Sequence, residues 1–368
     1  MTNVERVVIA PDSFKGTATA PDVARALAAG WASVRPGDEL LLMPMADGGE
    51  GTLDAFELAV PGARRMPVTV TGPDDRPVDT AWLLLPDGTG VVELACTSGI
   101  TLLDPLRPLA AHSTGFGEAI AAALRHGVTR LYLAVGGSSS TDGGVGALTA
   151  LGGIFHDAAG HPVRSGGRGL ADLAEVDLRG LPALPASGAV ILSDVTHPLL
   201  GPSGAAAVFG PQKGADEAQV AQLDAGLARL AGLVGVDPGT PGAGAAGGAA
   251  FGLLVWGARI QAGSAAVGEA LGVPAAVAGA SVVITGEGRF DAQSAAGKVP
   301  SYLAALAKGA GARALLVAGA IDADALAAHP GQFDEAVALT TLAGGGAAAM
   351  ADPLRWLHLA AAHLATAP

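Results

Sequence analysis

Residues 7–22, VVIAPDSFKGTATAPD, place an apolar segment, a polar loop and a helix start directly after one another. The apolar run at 7–10 predicts a buried strand, and the loop at 11–17 follows it. Thr19 to Asp22 has the form of a capping box with proline early in the first turn, so we predict a helix from there to about residue 32.

The same succession of apolar strand, polar loop and helix recurs along the chain. We predict further strands at 40–45, 131–135, 190–192, 281–284, 314–317 and 336–339, and helices at 52–59, 114–125, 216–233, 249–261 and 353–364. Strands that alternate with helices indicate an α/β class with a mostly parallel sheet.

Between residues 66 and 94 the period of the apolar residues along the sequence changes. Three short strands separated by the turns at 73–75 and 86–88 predict a local antiparallel meander. The meander indicates a second domain that begins near residue 67, and the C-terminal strands and helices are able to complete the sheet of the first. We therefore predict a terminal α/β domain of residues 1–66 plus 280–368 and an inserted α/β domain of residues 67–279.

The charge balance excludes one class of partner. The 368 residues carry a net charge of −13, so no basic stripe offsets the repulsion of nucleic-acid phosphates. An acidic protein that binds phosphates must concentrate its few cations locally.

The single cysteine, Cys96, rules out an intrachain disulfide and fits a reducing compartment. The first residues carry Glu5 and Arg6 and lead into a strand, which does not have the form of a signal peptide. No run of about 18 apolar residues predicts a membrane span. These features predict a cytoplasmic location and no membrane partner.

Five of the predicted strands end in polar loops punctuated by glycine or proline. The loops lie at 11–16, 46–52, 136–144, 193–198 and 285–291. In open α/β sheets, ligands bind beyond the carboxyl ends of the strands. Glycine lets backbone N–H groups approach an anion, hydroxyls bind phosphate oxygens, and carboxylates hold Mg²⁺. Together these groups are what phosphoryl transfer requires, because its catalysis is mostly positioning and charge neutralisation.

The lysines support this interpretation. The chain has four, and three of them, Lys15, Lys213 and Lys298, lie beside glycine or proline in loops, where a compact ammonium group suits phosphate. The glycine run at 242–247 matches G-x-G-x-x-G without a preceding strand, so it does not predict a dinucleotide site. No Walker A pattern occurs, and the chain is therefore not a P-loop kinase.

Taken together, the loops resemble those of the bacterial glycerate kinases of type I, the glycerate 2-kinases. The segments that carry the resemblance are 10–16, 44–52, 193–195, 210–214 and 285–289. The third loop departs from the family's usual GGSATNDGG, since Ser139, Ser140 and Thr141 stand in place of Ala, Thr and Asn, and His197 stands where Asn is commoner. These departures affect the expected substrate contacts and not phosphoryl transfer itself.

The resemblance implies a restriction-endonuclease-like core that holds both termini, with a flavodoxin-like domain inserted into it. It also implies ATP-dependent phosphorylation of D-glycerate with Mg²⁺, and favours 2-phosphoglycerate and ADP as products. Glycerate and ATP are then the partners, and the oligomeric state stays open.

The candidate residues follow from the loops and the resemblance together. As catalytic residues we predict Asp194, the general base or substrate-orienting carboxylate, with Lys15 and Arg289. For substrate binding we predict Asp12, Ser13, Asp47, Glu50, Thr52, Glu287 and Asp291. For nucleotide or phosphate binding we predict Gly136, Gly137, Ser138, Ser139, Thr141, Asp142, Lys213 and Lys298. For the metal we predict Asp142, Asp194 and Asp291.

Three alternatives stay open at this point. In the first, the chain is a kinase for a different small hydroxy acid. In the second it is a non-catalytic sensor of small acids, and in the third it is a Mg²⁺-dependent phosphatase. The many Asp and Glu residues in the loops count against the sensor, which needs cations for a carboxylate but no metal-binding carboxylates.

Overall fold

A computed structural model describes residues 4–295 and 297–366 of the chain. Its residues form two compact units. The terminal unit contains the chain up to Asp47, residues Asp54–Pro61, and the chain from Gly263 onward, whereas the inserted unit contains Gly48–Leu53 and Gly62–Ala262. The two-part α/β organisation is thereby confirmed. The domain limits at 66/67 and 279/280 stay a prediction.

The described chain forms the strands β1 (Arg6–Ile9), β2 (Glu39–Leu42), β3 (Arg64–Thr71), β4 (Pro77–Leu84), β5 (Thr89–Glu93), β6 (Arg130–Ala134), β7 (Ile154–Asp157), β8 (Leu173–Asp177), β9 (Ala189–Leu192), β10 (Arg259–Gln261), β11 (Val282–Phe290), β12 (Arg313–Ile321) and β13 (Glu335–Ala338).

It also forms the helices α1 (Ala20–Val34), α2 (Thr52–Ala59), α3 (Leu94–Ser98), α4 (Thr114–His126), α5 (Val145–Ala150), α6 (Ala205–Phe209), α7 (Glu217–Leu233), α8 (Ala249–Val255), α9 (Gly263–Ala270), α10 (Val273–Val277), α11 (Ala292–Ala295), α12 (Val299–Ala310), α13 (Ala323–Ala327), α14 (Leu339–Ala343), α15 (Gly346–Ala351) and α16 (Pro353–Leu364). Short 3₁₀ turns lie at Ile100–Leu102, Gly167–Ala171, Pro211–Lys213 and Ala245–Gly248.

The terminal unit is built on a five-stranded sheet whose order is β2-β1-β11-β12-β13, with every neighbouring pair parallel. Numbered within the unit, this order is 2-1-3-4-5, which is that of the flavodoxin-like folds. The resemblance implied that order for the inserted domain, and the structure places it instead in the unit that holds both ends of the chain.

Helix α1 begins as its sequence predicts, since the Thr19 side chain accepts a hydrogen bond from the backbone N–H of Asp22. It packs against α16 so closely that a Cβ on Gly30 would lie 2.1 Å from the carbonyl oxygen of His358. The buried faces of α1, α16 and the sheet form the core of this unit, which includes Trp31 and Leu27.

The inserted unit has a six-stranded sheet of order β10-β9-β6-β5-β4-β3. Strands β3, β4 and β5 pair antiparallel, which confirms the predicted meander, and β5, β6, β9 and β10 pair parallel. Strands β7 and β8 form a separate antiparallel pair. Phe116 and Phe251 are fully buried in the core of this unit.

Within residues 4–295 and 297–366, no helix is both long and apolar enough to cross a membrane.

Candidate active site

The sheet of the terminal unit has a switch point between β1 and β11. In this sheet β2 lies on one side of β1, and β11, β12 and β13 lie on the other side. Ligands bind in open α/β sheets outside the carboxyl ends of the strands at such a point. The loop that follows β1 carries Asp12, Ser13 and Lys15, and the end of β11 carries Glu287 and Arg289.

These residues line one cavity of about 490 Å³. Its polar wall contains the predicted residues Asp12, Ser13, Lys15, Asp47, Glu287, Arg289, Asp291 and Lys298. Leu339, Ala349, Met350 and Pro353 from the α14–α16 region form an apolar wall that the sequence did not predict. The structure thus brings together eight of the predicted site residues from four separate segments of the chain.

Two carboxyl groups of this cavity are buried. Asp12 is 6% exposed and Glu287 is 7% exposed. Burial raises the pKa of Asp12 well above its usual range, and the nearby carboxylate of Asp47 raises it further. Burial also raises the pKa of Glu287 to about 7, against the opposing effects of the Ser294 hydroxyl and Lys298. Both groups therefore hold a proton more tightly than an ordinary carboxyl group does.

The cavity also contains polar groups that the described residues leave without a hydrogen-bond partner. The Ser13 hydroxyl and Oε1 of Glu287 are buried and have no hydrogen-bond partner among the described residues. Lys15 lies 3.8 Å from Asp47. Among residues 4–295 and 297–366, neither Arg289 nor Lys298 forms an ion pair. A buried polar atom without a partner is costly, so this cavity is suited to an anionic ligand that carries hydroxyl groups.

We expect Glu287→Gln to stabilise the protein at alkaline pH. A rise in pKa from 4.5 to about 7 corresponds to about 3 kcal/mol as an upper limit. Below pH 4.5 the folded and unfolded states both hold the proton, whereas above pH 7 the folded state must bury a charge. The free energy of unfolding of the wild type therefore decreases as the pH rises from 4.5 to about 7, and that of Glu287→Gln does not.

Chemical denaturation at pH 5 and pH 8 measures the effect. Glu175→Gln, which changes an exposed glutamate of β8, is the matched control. It should leave the free energy of unfolding unchanged at both pH values. Equal stabilities of Glu287→Gln and the wild type at pH 8 would show that Glu287 ionises without cost.

In the inserted unit, the glycine loop at 136–144 follows β6. Asp142 is buried at its centre and accepts five hydrogen bonds. One oxygen accepts from the N–H and hydroxyl of Ser113 and the N–H of Gly146, and the other accepts from the hydroxyl of Ser140 and the N–H of Gly144. Because both oxygens are occupied, Asp142 holds the loop in place, and the geometry does not support its prediction as a metal ligand.

Lys213 holds the same glycine loop through hydrogen bonds of its ammonium group. It is 2% exposed, and its ammonium group donates to the hydroxyl of Ser138 at 2.8 Å and to the carbonyl oxygen of Ser140. Burial lowers the pKa of Lys213 to about 7, while Asp142 opposes that effect. The sequence predicted a phosphate contact here, whereas the structure shows a buried lysine that fixes the loop.

The hydroxyl groups of the glycine loop differ in their surroundings. Ser139 donates to the carbonyl oxygen of Ser98 at 2.8 Å, and the Thr141 hydroxyl is buried without a partner among the described residues. Gly137 is exposed and Gly136 is half-buried. A phosphate group would therefore meet the glycine backbone before it met these side chains.

A residue that the sequence did not predict holds the neighbouring loop. Glu93, at the end of β5, is 2% exposed and accepts from the N–H groups of Gly51 and Leu53 at 3.2 and 3.0 Å. The first turn of a helix carries partial positive charge, so a carboxylate at the start of α2 is favourable. A lone glutamate at the end of an apolar strand was the signal that could have indicated it.

Two predicted substrate-binding residues lie near this loop. Thr52 is fully buried and its hydroxyl donates to the carbonyl oxygen of Gly49 at 2.7 Å, so it closes the turn. Glu50 is exposed. Thr52 is therefore a structural residue of the loop, and its role as a direct substrate contact is not supported.

The same loop requires glycine at one position for a steric reason. Gly48 and Gly51 both have positive φ, +88° and +89°, but a Cβ on Gly48 would lie 2.3 Å from the carbonyl oxygen of Leu192, whereas one on Gly51 would meet nothing within 4 Å. We expect Gly51→Ala to cost roughly 1–2 kcal/mol from its backbone conformation. Gly48→Ala should cost at least about 2 kcal/mol more, since the backbone of β9 cannot yield as a side chain does. Urea denaturation of the two variants is the measurement, and equal losses would contradict the steric argument.

Asp194 lies two residues beyond β9 and is half-buried. Strands β6 and β9 are parallel neighbours, so the loop with Asp194 and the glycine loop leave the same edge of this sheet. Ser193 accepts from the N–H of Val195 at 3.2 Å, which fixes the turn that carries the carboxylate. The metal and base roles of Asp194 stay predictions.

Comparison with known proteins agrees with this arrangement. The chain matches the glycerate kinase family over residues 7–367. It is 39% identical over 349 residues to the glycerate 2-kinase of Escherichia coli (strain K12), covering 92% of this chain and 91% of that one. It is 40% identical over 339 residues to the glycerate kinase of Bacillus subtilis (strain 168), covering 89% and 88%. A crystal structure provisionally described as glycerate kinase 2 from Salmonella typhimurium LT2 matches with a TM-score of 0.83 and 37% identity, over 99% of this chain and 98% of that one.

The family match and the named relatives identify the two-unit α/β chain with its carboxylate-rich cavity as a phosphotransferase. The chain belongs to the glycerate kinase family.

Proposed function

We propose that this protein transfers the γ-phosphoryl group of ATP to the 2-hydroxyl of D-glycerate, giving 2-phosphoglycerate and ADP. The observation that carries the proposal is the cavity of the terminal unit. It sets the cations Arg289 and Lys298, which have no ion-pair partner among the described residues, beside the unsatisfied polar atoms of Ser13 and Glu287. A small hydroxy acid supplies both the carboxylate and the hydroxyl groups that these atoms lack.

The roles follow from the charges. Arg289 presents a planar fork of donors that suits a carboxylate or the transferring phosphoryl group. Lys15, whose side chain is 58% exposed, offers a compact positive charge next to Asp47. Asp194 is the proposed acceptor of the hydroxyl proton. Glu287 has a pKa of about 7, which also suits a group that takes and returns a proton at neutral pH.

The nucleotide phosphates are assigned to the glycine loop of the inserted unit. Gly137 is its exposed residue and has a φ of +73°, and its N–H has no partner among the described residues. The N–H groups of Gly136, Gly143 and Gly144 already donate within the protein, so Gly137 is the glycine of this loop whose N–H is left for an anion. Lys213 and Asp142 contribute by holding the loop in this conformation.

Mg²⁺ fits the carboxylates of the terminal-unit cavity. The repulsion that Asp47 and Glu287 exert on Asp12 shows a local excess of negative charge, which a divalent cation relieves. Mg²⁺ is usually held by one or two carboxylates together with waters and substrate phosphates. Asp47 and Asp291, less buried than Asp12 and Glu287, are the residues that would hold it. When bound, the ion neutralises charge on the phosphoryl oxygens.

We expect ADP formation to require D-glycerate, ATP and Mg²⁺ together. A coupled assay for ADP, run with D-glycerate, L-glycerate and other three- and four-carbon hydroxy acids, measures this. The phosphorus-31 NMR signal of the product should be a doublet, since the 2-hydroxyl carbon carries one hydrogen; a triplet would indicate phosphorylation of the 3-hydroxyl.

The same assay separates the alternatives. Full activity in excess EDTA would contradict the metal requirement. Turnover of another hydroxy acid in preference to D-glycerate would point to a different substrate, and release of phosphate without a nucleotide would indicate a phosphatase. Binding of small acids with no ADP under any condition would indicate a sensor.

A further inference from the structure

The end of β11 presents three site residues to the cavity of the terminal unit. Glu287, Arg289 and Asp291 all line it, and residues two apart in an extended chain face the same side. The strand ends at Phe290, which is also the last residue of β11 that pairs with β12. Sheet pairing therefore stops between Arg289 and Asp291, and other contacts must fix the backbone there.

Ser294 supplies such contacts from α11. It is 1% exposed, and its N–H donates to Oδ1 of Asp291 at 3.3 Å. Its hydroxyl lies 3.3 Å from the carbonyl oxygen of Arg289 and 3.5 Å from the same Oδ1, and its single hydrogen is donated to one of these oxygens at a time. Helix capping accounts for the N–H bond to Asp291 but not for the contact between the hydroxyl and Arg289.

The Ser294 hydroxyl also acts on Glu287. Burial raises the pKa of Glu287 to about 7, and a hydrogen bond with the Ser294 hydroxyl opposes this rise. Ser294 is not among the described residues that line the cavity. One hydroxyl group outside the lining thus contacts Arg289 and Asp291 and interacts with Glu287.

Two further residues hold Ser294 in turn. Ser301, in the first turn of α12, donates to the carbonyl oxygens of Ser294 and Ala295 at 2.8 and 3.1 Å. The side-chain amide nitrogen of Gln332 donates to the Ser301 hydroxyl at 2.7 Å. Neither Ser301 nor Gln332 is among the described residues that line the cavity. The three side chains therefore form a hydrogen-bond chain that begins outside the cavity and ends at Arg289.

This chain bears on the alignment of Arg289. The residue is exposed, and no ion pair with another of residues 4–295 and 297–366 holds its guanidinium group. A planar fork of donors binds an anion bidentately only in the right orientation, and a misplacement of about 1 Å is costly at a reacting site. Because the backbone sets the direction in which the side chain leaves the strand, the bond to the Arg289 carbonyl oxygen contributes to this alignment.

We propose that Ser294 is a positioning residue of this site. Its hydroxyl fixes the carbonyl group of Arg289, so that the guanidinium group meets the anionic substrate in one orientation. Ser301 and Gln332 keep that hydroxyl in place. The inference rests on the proposed function, because it takes this cavity as the place where the substrate anion binds.

Initial-rate kinetics of Ser294→Ala, with D-glycerate and ATP varied separately, tests this role. The variant should raise the same KM that Arg289→Ala raises, by a smaller factor of roughly 3 to 10, the effect of one hydrogen bond. It should leave the other KM unchanged. In the Arg289→Ala background it should have no further effect, because a residue that acts through another is not additive with it. Ser294→Thr keeps the hydroxyl and should keep the wild-type KM.

Ser33→Ala is the control. The Ser33 hydroxyl also donates to a backbone carbonyl oxygen in the terminal unit, that of Gly30 at 2.6 Å, but Ser33 is not among the described residues that line the cavity. Its variant should change neither KM. If Ser294→Ala melts far below the wild type, Ser301→Ala at a half-buried position is the second variant, and it should raise the same KM.

The inference is overturned if Ser294→Ala leaves both KM values unchanged, raises both equally, or adds its full effect to that of Arg289→Ala. It is also overturned if a folded Ser294→Thr raises the KM as much as Ser294→Ala does. These outcomes differ from a failure of the proposed function. If the wild type prefers another hydroxy acid, the same comparison with that acid still decides the role of Ser294. If the wild type forms no ADP from any acid, the proposed function and this inference fail together.

Discussion

Asp194→Asn is expected to lower kcat roughly 10²-fold or more, which is the usual range for loss of a general base. The substitution keeps the size of the side chain and removes its charge. Strand β9 is buried along its whole length and pairs on both sides, so the position of the loop that follows it should not change. The measurement is steady-state kinetics together with the melting temperature, which should stay close to that of the wild type.

Asp79→Asn is a matched control, since Asp79 is an exposed aspartate on β4 of the same unit and should leave kcat unchanged. If Asp194→Asn keeps more than about a tenth of the wild-type kcat, Asp194 is not the base. Glu287, with a pKa of about 7, is then the leading candidate. The wild-type activity should fall as the pH drops below about 7, because a base must be deprotonated to act. The residual activity of Glu287→Gln should not show this fall.

Local patterns predicted the elements of the fold well. The closing helix was predicted at 353–364 and is observed at Pro353–Leu364, and the capping box at Thr19 starts α1. The patterns failed where distant pairing decides the structure. Residues 249–261 were predicted as one helix, but α8 ends at Val255, Gly257 has a φ of +99°, and residues 259–261 pair with β9 as a strand.

The same distinction applies to the fold of each unit. The strand order 2-1-3-4-5 depends on β11 pairing with β1, which is more than 270 residues earlier in the chain. No local period records such a partner, so the sequence indicated two α/β domains but not which one has the flavodoxin-like order. Strand β11 also continues to Phe290, where a loop was predicted, because β12 extends alongside it.

The candidate site shows what residue types can and cannot indicate. Acidic and basic residues in loops after β1 and within 285–291 were predicted to meet, and they line one cavity. Lys213 has the residue type of a phosphate ligand, but its partners Ser138 and Ser140 lie 75 and 73 residues away, and they bury it. Burial decides whether a charged group binds a ligand or fixes a loop, and burial is a property of tertiary contacts.

Arg289→Ala is expected to raise the KM for the anionic substrate roughly 10- to 100-fold, with a smaller effect on folding. A hydrogen bond between charged groups contributes about 1.5–3 kcal/mol when the alternative is an unpaired anion. Arg289 is exposed at the cavity and has no ion-pair partner among the described residues, so its removal leaves no protein carboxylate unpaired. Lys15→Ala should act in the same direction, and it also releases Asp47 from its neighbour at 3.8 Å. Initial-rate kinetics with D-glycerate and with ATP varied separately show which substrate each cation binds.

Two further variants make the test of Arg289 specific. Arg289→Lys keeps the charge but loses the planar fork, so its KM should lie between those of the wild type and Arg289→Ala if the contact is bidentate. Arg313→Ala changes an arginine at the start of β12 that does not line the cavity, and it should leave both KM values unchanged. A variant of Arg289 or Lys15 that melts far below the wild type while keeping its KM values would show a structural role instead. Loops tolerate the loss of a surface charge better than cores tolerate the loss of packing, and this is why we expect the kinetic result.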